Sequence, residues 1–117
     1  MANKKTNHRS GHEAEKVAAV FLKEAGYKIL DLNWRTRVCE IDIVAQKKKV
    51  MYFVEVKYRS TANQGGGLEY ITPKKLNQMQ FAAECWTQAN NYNGSYDLSC
   101  VELSADYKVS EFIVSID

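Results

Sequence analysis

Two carboxylates and a lysine lie on neighbouring apolar stretches of the chain: Asp42 within Cys39–Ala45 (CEIDIVA), and Glu55 and Lys57 within Val50–Tyr58 (VMYFVEVKY). Both stretches read as strands. Only Gln46-Lys47-Lys48-Lys49 separates them, too little for a crossover, so the spacing predicts an antiparallel hairpin. Closing it brings Asp42 opposite or diagonal to Glu55, depending on register, at roughly 5–8 Å. Like charges at that range repel. A divalent cation between them removes the penalty, and hard cations such as Mg²⁺ or Mn²⁺ prefer carboxylate oxygens. Lys57 follows Glu55 by two positions and shares its face, where an ammonium suits a phosphate oxygen or an attacking water. The residues alone leave two readings open: a metal-dependent phosphodiester site, or a solvated strand surface with a cross-strand Glu–Lys pair.

The elements that must position these groups can be read in order. Ser10 and Glu13 have capping-box spacing, and Ala14, Val17, Ala18, Phe21, Leu22 and Ala25 recur at helical intervals up to the stop at Gly26. On that helix Glu15 lies about 20° from Leu22, at the flank of the apolar stripe, so it can look along the sheet and add a third acid. A strand over Tyr27–Trp34 precedes the hairpin, and Arg59–Tyr70, with Gly65-Gly66-Gly67, reads as a loop. Thr72-Pro73 opens a second helix with an apolar face of Leu76, Met79, Ala82, Ala83, Trp86 and Ala89. Strands near Tyr96–Leu103 and through Phe112, Val114 and Ile116 follow. The pattern predicts an α/β domain over residues 10–117, a mixed sheet flanked by helices, behind a loose basic arm at 1–9 (MANKKTNHR).

Composition narrows the class. The chain has 117 residues, 45% hydrophobic and 26% charged, with one proline and six glycines, which suits one globular core and excludes a low-complexity chain. No apolar run approaches the length of a bilayer span and no signal peptide is recognisable. The three cysteines, Cys39, Cys85 and Cys100, have no CxxC spacing, so neither a disulfide framework nor a zinc ribbon is indicated. A reduced, cytoplasmic domain with no membrane partner is the expectation. A net charge of +2 permits nucleic acid without requiring it.

Arg35, Arg37 and Arg59 fall near the ends of the site strands, and Lys74 and Lys75 open the second helix. Guanidinium forks and a helix N-terminus both suit phosphates; an ordinary solvated surface is the plainer account of each. Trp34, Tyr58 and Tyr70 read as packing residues before stacking platforms. His8 and His12 lack the HExxH arrangement of a zinc site, and Cys39 reads as a core residue.

The chain resembles the YraN-like family of uncharacterised bacterial proteins, predicted endonucleases of the PD-(D/E)xK superfamily distantly related to archaeal Holliday junction resolvases. The resemblance is carried by Gly11-His-Glu-Ala-Glu15, Gly26-Tyr27, Asn33-Trp34-Arg35, Glu40-Ile41-Asp42, Phe53-Val-Glu55-Val-Lys57 with Arg59, Thr72-Pro-Lys-Lys75, Ala82-Ala83 and Tyr96-Asp97. It implies a restriction-endonuclease-like core in α-β-β-β-α-β order. Asp42 and Glu55 become metal-binding acids for Mg²⁺ or Mn²⁺, Glu15 the accessory acid and Lys57 the catalytic lysine. Ala14 and Cys39 stand where the family pattern has glycine, and Ser95 where it has a basic residue. The expected activity is metal-dependent hydrolysis of branched or single-stranded DNA, with Arg35, Arg37, Arg59 and Lys75 on the backbone phosphates and two copies of the chain suiting a two-strand cut. The alternative is a nuclease-like fold that holds nucleic acid or a protein without cutting.

Overall fold

In the computed structural model, the backbone is described for residues 2–59 and 71–116, and side chains from His12 onward within them. The Ser10 capping side chain, His8, and the loop over 60–70 with its three glycines and Tyr70 lie outside the described residues. The element order is α1 (Ala2–Glu24), β1 (Lys28–Arg35), β2 (Glu40–Lys47), β3 (Val50–Tyr58), α2 (Pro73–Ala89), β4 (Ser95–Leu103) and β5 (Val109–Ile113). Helix α1 therefore begins N-terminal to Ser10, where the capping-box spacing placed its start. Residues 2–9 contain neither glycine nor proline, so nothing in them interrupts the helical backbone.

The five strands form one sheet in the order β1-β2-β3-β4-β5. All neighbours are antiparallel except β3 and β4, which are parallel, the chain returning between them through α2. This is a mixed α/β architecture consistent with a restriction-endonuclease-like core. The two helices cover opposite faces. Ala14, Ala18 and Leu22 of α1 pack on Ile43, Ala45, Val54 and Val101, while Met79, Ala82, Ala83 and Trp86 of α2 pack on Val44, Met51, Phe53 and Leu98. Strand β3 is thus apolar on both faces at its start and can be polar only toward its end, where Glu55 and Lys57 lie. No helix among the described residues is long and apolar enough to cross a membrane.

Local signals explain the boundaries. Gly26, at φ 96°, ends α1 in the left-handed region that costs a side chain most, and the Tyr27 N–H reaches back to the Leu22 carbonyl at 2.9 Å. Thr72 caps α2, its hydroxyl accepting the Lys75 N–H at 3.1 Å, with Pro73 at the first helical position. Its apolar face is as expected except Ala89, which is exposed. The last strand is shifted from the expected Phe112–Ile116 to Val109–Ile113. The turn after β4, with Tyr107 at φ 60° and the Ser104 N–H on the Lys108 carbonyl, starts the pairing at once, and Phe112 already lies opposite Val101. Trp34 packs in the α2-side cluster, and Tyr58 stacks on Tyr107 with ring centroids 4.7 Å apart.

One expectation fails in a way that bears on the site. Strict alternation puts Cys39, Ile41 and Ile43 on one face of β2. Instead Ile43 joins the α1-side cluster, whereas Ile41 and Cys39 join the α2-side cluster. The break recurs in the neighbouring strand. Leu32 pairs with Ile43 and Trp34 with Ile41, and Asn33 between them takes φ 54°. A left-handed residue reverses the side-chain phase, and asparagine tolerates that conformation better than most residues. The reversal is centred on the level of Asp42.

Candidate active site

The β2–β3 hairpin turns through Lys48 and Lys49, with Lys47 opposite Val50 and Ile43 opposite Val54. Continued by one step, this register sets Asp42 opposite Glu55. The backbone ladder stops there: Asp42 Oδ2 accepts the Val56 N–H at 2.8 Å, so a side chain takes the place of a backbone acceptor. Beyond this point lies a cavity of about 320 Å³ lined by Glu15, Glu40, Asp42, Glu55, Lys57 and Lys75, with Ala14, Val56 and Tyr58 completing the wall. All four expected catalytic residues therefore reach one cavity, from α1, β2 and β3.

Its electrostatics are those of crowded acids. The Asp42 carboxyl is raised from 3.8 to about 8, first by burial, then by the charge of Glu55 and by smaller contributions from Glu15 and Glu40, against the opposing Val56 N–H. Glu15 Oε1 is buried with no hydrogen-bond partner, an arrangement costly unless something else satisfies it. Glu55 Oε2 is held by Lys75 Nζ at 3.1 Å, both side chains being partly shielded. The Thr72 cap that fixes the first turn of α2 also fixes this lysine's backbone. Among the described residues no three His, Cys, Asp or Glu side chains already stand as a metal-ligating cluster. The donors nonetheless suit a hard divalent ion: four carboxylates at one cavity, one with an orphaned buried oxygen and one whose proton is held by burial and by the charge of Glu55.

A second, larger cavity of about 910 Å³ adjoins the first and shares Glu40, Glu55 and Lys75 with it. One wall is the turn Arg35–Glu40; the other is the exposed side of α2 through Lys74, Asn77, Gln78 and Phe81. Thr36 braces the turn, its N–H on the Cys39 carbonyl at 2.9 Å and its hydroxyl accepting the N–H groups of Val38 and Cys39 at 3.2 and 3.3 Å. Three of the four expected phosphate contacts, Arg35, Arg37 and Lys75, line this groove. The fourth does not: Arg59 Nε pairs with Glu102 Oε2 at 2.9 Å, the side chains only 11% and 7% exposed. Glu102 also accepts from the Ser110 hydroxyl at 3.1 Å, and the Arg59 N–H bonds the Leu103 carbonyl at 2.9 Å. Arg59 thus neutralises a buried acid. A glutamate inside the apolar run Leu98–Leu103 was the available sign that some cation must be drawn inward.

Two site residues carried no assigned role in the sequence reading. Glu40 lines both cavities, adds to the charge on Asp42 and makes an exposed 3.8 Å pair with Arg35; its position two residues before Asp42 was the signal. Phe81, 49% exposed on α2, had none, because it breaks the apolar face that the other α2 residues define.

Comparison with known proteins places these features in a family. Residues 14–103, which include Glu15, Asp42, Glu55, Lys57 and Phe81, match the model of the uncharacterised protein family UPF0102. Among similar chains, a UPF0102 protein of Chlorobium phaeobacteroides strain BS1 is 43% identical over 82 residues, 70% of this chain and 65% of the relative. The match thus spans just under two thirds of that protein. A UPF0102 protein of Cytophaga hutchinsonii is 35% identical over 98 residues, 84% of this chain and 87% of the relative. Another, of Sulfurihydrogenibium strain YO3AOP1, is 41% identical over 86 residues, 74% and 75% of the two chains. With both the acid cavity and the basic groove inside the matched segment, the chain belongs to the uncharacterised UPF0102 family, the YraN-like group it resembles in sequence.

Proposed function

We propose that this chain is a metal-dependent endonuclease that hydrolyses phosphodiester bonds in DNA. The observation that carries the reading is the meeting, at one mouth, of a surplus of carboxylate with a groove of arginines and lysines. A structural ion-pair network would balance its charges; this one leaves Glu15 Oε1 unpartnered and Asp42 protonated well above the usual carboxylate range.

Asp42, Glu55 and Glu15 would hold Mg²⁺ or Mn²⁺, which when bound supplies an activated water and neutralises charge on the phosphoryl oxygens. The chain's own residues do the positioning. Lys57, exposed at the cavity, is placed to orient the water or to stabilise developing negative charge. Arg35 and Arg37 in the braced turn, with Lys74 and Lys75 at the start of α2, hold the flanking phosphates. Lys75 must release Glu55 as a cation arrives, exchanging an ammonium–carboxylate pair for an ammonium–phosphate one.

The Lys75–Glu55 pair also supports a second reading. An acid already neutralised by a lysine suits a module that holds nucleic acid without cutting it. Incubation of the full chain with branched, single-stranded and duplex DNA in Mg²⁺ or Mn²⁺ separates the two. Metal-dependent cleavage, lost on Asp42→Asn and reduced about 10²–10³-fold on Lys57→Ala, supports the nuclease. Metal-independent binding that Asp42→Asn leaves unchanged, with no cleavage, supports the module.

A further inference from the structure

The groove contains two exposed apolar residues that neither metal nor phosphate chemistry needs. Phe81 is 49% exposed, and Val38, across from it in the Arg35–Glu40 turn, is 72% exposed. Both face a space whose other polar lining is four cations, two amides, Thr36 and the acids Glu40 and Glu55. On α2, Lys74, Gln78 and Phe81 follow one another at i, i+4 and i+7, so they form a single stripe beginning beside the acid cavity and running away from it. Of the acids in the groove, Glu40 is taken up by Arg35 and Glu55 by Lys75, at 3.8 and 3.1 Å. No ion pair among the described residues engages Arg37 or Lys74, so the groove presents net positive charge around an apolar floor.

Resting on the nuclease reading, we infer that the groove takes an unpaired nucleotide next to the scissile phosphate, with its base stacked on Phe81 against Val38 and its phosphates on Arg37 and Lys74. The substrate class is single-stranded nucleic acid. In a duplex the base faces are already stacked, and a protein surface meets only the sugar-phosphate backbone and the base edges in the grooves, so an exposed phenyl ring beside phosphate-binding cations gains no stacking surface from it. An unpaired base presents a whole π-face, and stacking on an aromatic ring tolerates any base. Asn77 and Gln78 provide amides for base edges without imposing sequence. The groove volume of about 910 Å³ is on the scale of small-ligand sites, roughly 300–1,000 Å³, enough for one or a few nucleotides.

The test is fluorescence anisotropy of labelled oligo(dT), oligo(rU) and a blunt hairpin duplex with the full chain in EDTA, so that cleavage plays no part. Both single strands should bind more tightly than the duplex. Phe81→Ala should weaken single-strand binding about tenfold, the scale of one stacked base, and leave duplex binding unchanged. Phe81→Trp should keep the affinity and show quenching of the new indole on oligo(dT). The ratio of oligo(dT) to oligo(rU) affinity identifies the sugar. Equal loss on single strands and duplex, no loss on Phe81→Ala, or preference for the duplex overturns the inference. If single-strand binding behaves as expected while no metal supports cleavage, the groove stands and the nuclease reading fails.

Discussion

Replacing Asp42 by asparagine should make the metal-free protein more stable, and increasingly so as pH rises. The Asp42 carboxyl is raised from 3.8 to about 8 by burial and by the charges of Glu55, Glu15 and Glu40. In the unfolded chain it ionises near its ordinary value. Between those two values the folded state holds a proton that the unfolded state has lost, so stability falls as pH rises through the window and levels off above about 8. Below 3.8 both states are protonated and the effect disappears. At about 1.4 kcal/mol per unit the full displacement corresponds to about 6 kcal/mol; water at the open mouth screens it, and about 2–3 kcal/mol is expected. Asparagine carries no charge and keeps an oxygen to accept the Val56 N–H, now 2.8 Å from Oδ2. Urea unfolding of both proteins in EDTA, at about pH 5 and about pH 8.5, isolates the titration of Asp42 together with the acids that interact with it, because titrating groups remote from the cavity cancel. The variant should gain on wild type by about 2 kcal/mol across that interval. Mn²⁺ should then narrow the gap by stabilising wild type more than the variant, by about 2.7 kcal/mol at a hundredfold excess over Kd. A gap independent of pH, or one favouring wild type at the alkaline end, would refute the picture of crowded acids.

Two further substitutions test the frame around the site. Arg59→Ala should destabilise the fold by about 3–5 kcal/mol by leaving Glu102 buried and unpaired, whereas Arg37→Ala should change the melting temperature little and weaken oligonucleotide binding; thermal melts read beside anisotropy separate the two roles. Gly26→Ala should cost about 1–2 kcal/mol, because φ 96° admits a side chain only under strain and the new Cβ would lie 3.4 Å from Lys47 Cε, an amount that chemical denaturation resolves with oligonucleotide binding unchanged.

Much of this arrangement was readable in the residues. The four residues Gln46–Lys49 required a hairpin, and a hairpin required Asp42 and Glu55 to meet. The helical period placed Glu15 at the edge of an apolar stripe, hence near the sheet and not in bulk water. What was not readable depended on long-range partners or on backbone phase. Arg59 follows Lys57 by two positions and seemed to extend the site. Its side chain is claimed by Glu102, about forty residues away in sequence on a strand that becomes the neighbour only once α2 has returned the chain. Phe81 sits among polar neighbours on α2 and has meaning only when the Arg35–Glu40 turn lies across from it. The reversal of side-chain phase at Asn33 has no periodic signature, since it is set by one left-handed residue.

That reversal is also the feature that makes the site. In an uninterrupted β2, Asp42 would share a face with Val44, which is completely buried under α2, and a carboxylate there would have to be driven into the same apolar layer. Instead Ile41 joins that layer on the α2 side, and Asp42 lines the cavity with Glu15 and accepts the Val56 N–H. The ladder between β2 and β3 ends at the same level, at Ile43 and Val54, so the strands part where the acids meet, and the parting is the mouth of the cavity. A regular sheet is the more stable object; this one gives up backbone pairing between β2 and β3, and accepts an asparagine at positive φ in β1, at the level of Asp42 where the acid cavity opens. Local departures from sheet regularity cluster at functional sites, and here the departure, the charge surplus and the adjoining basic groove coincide.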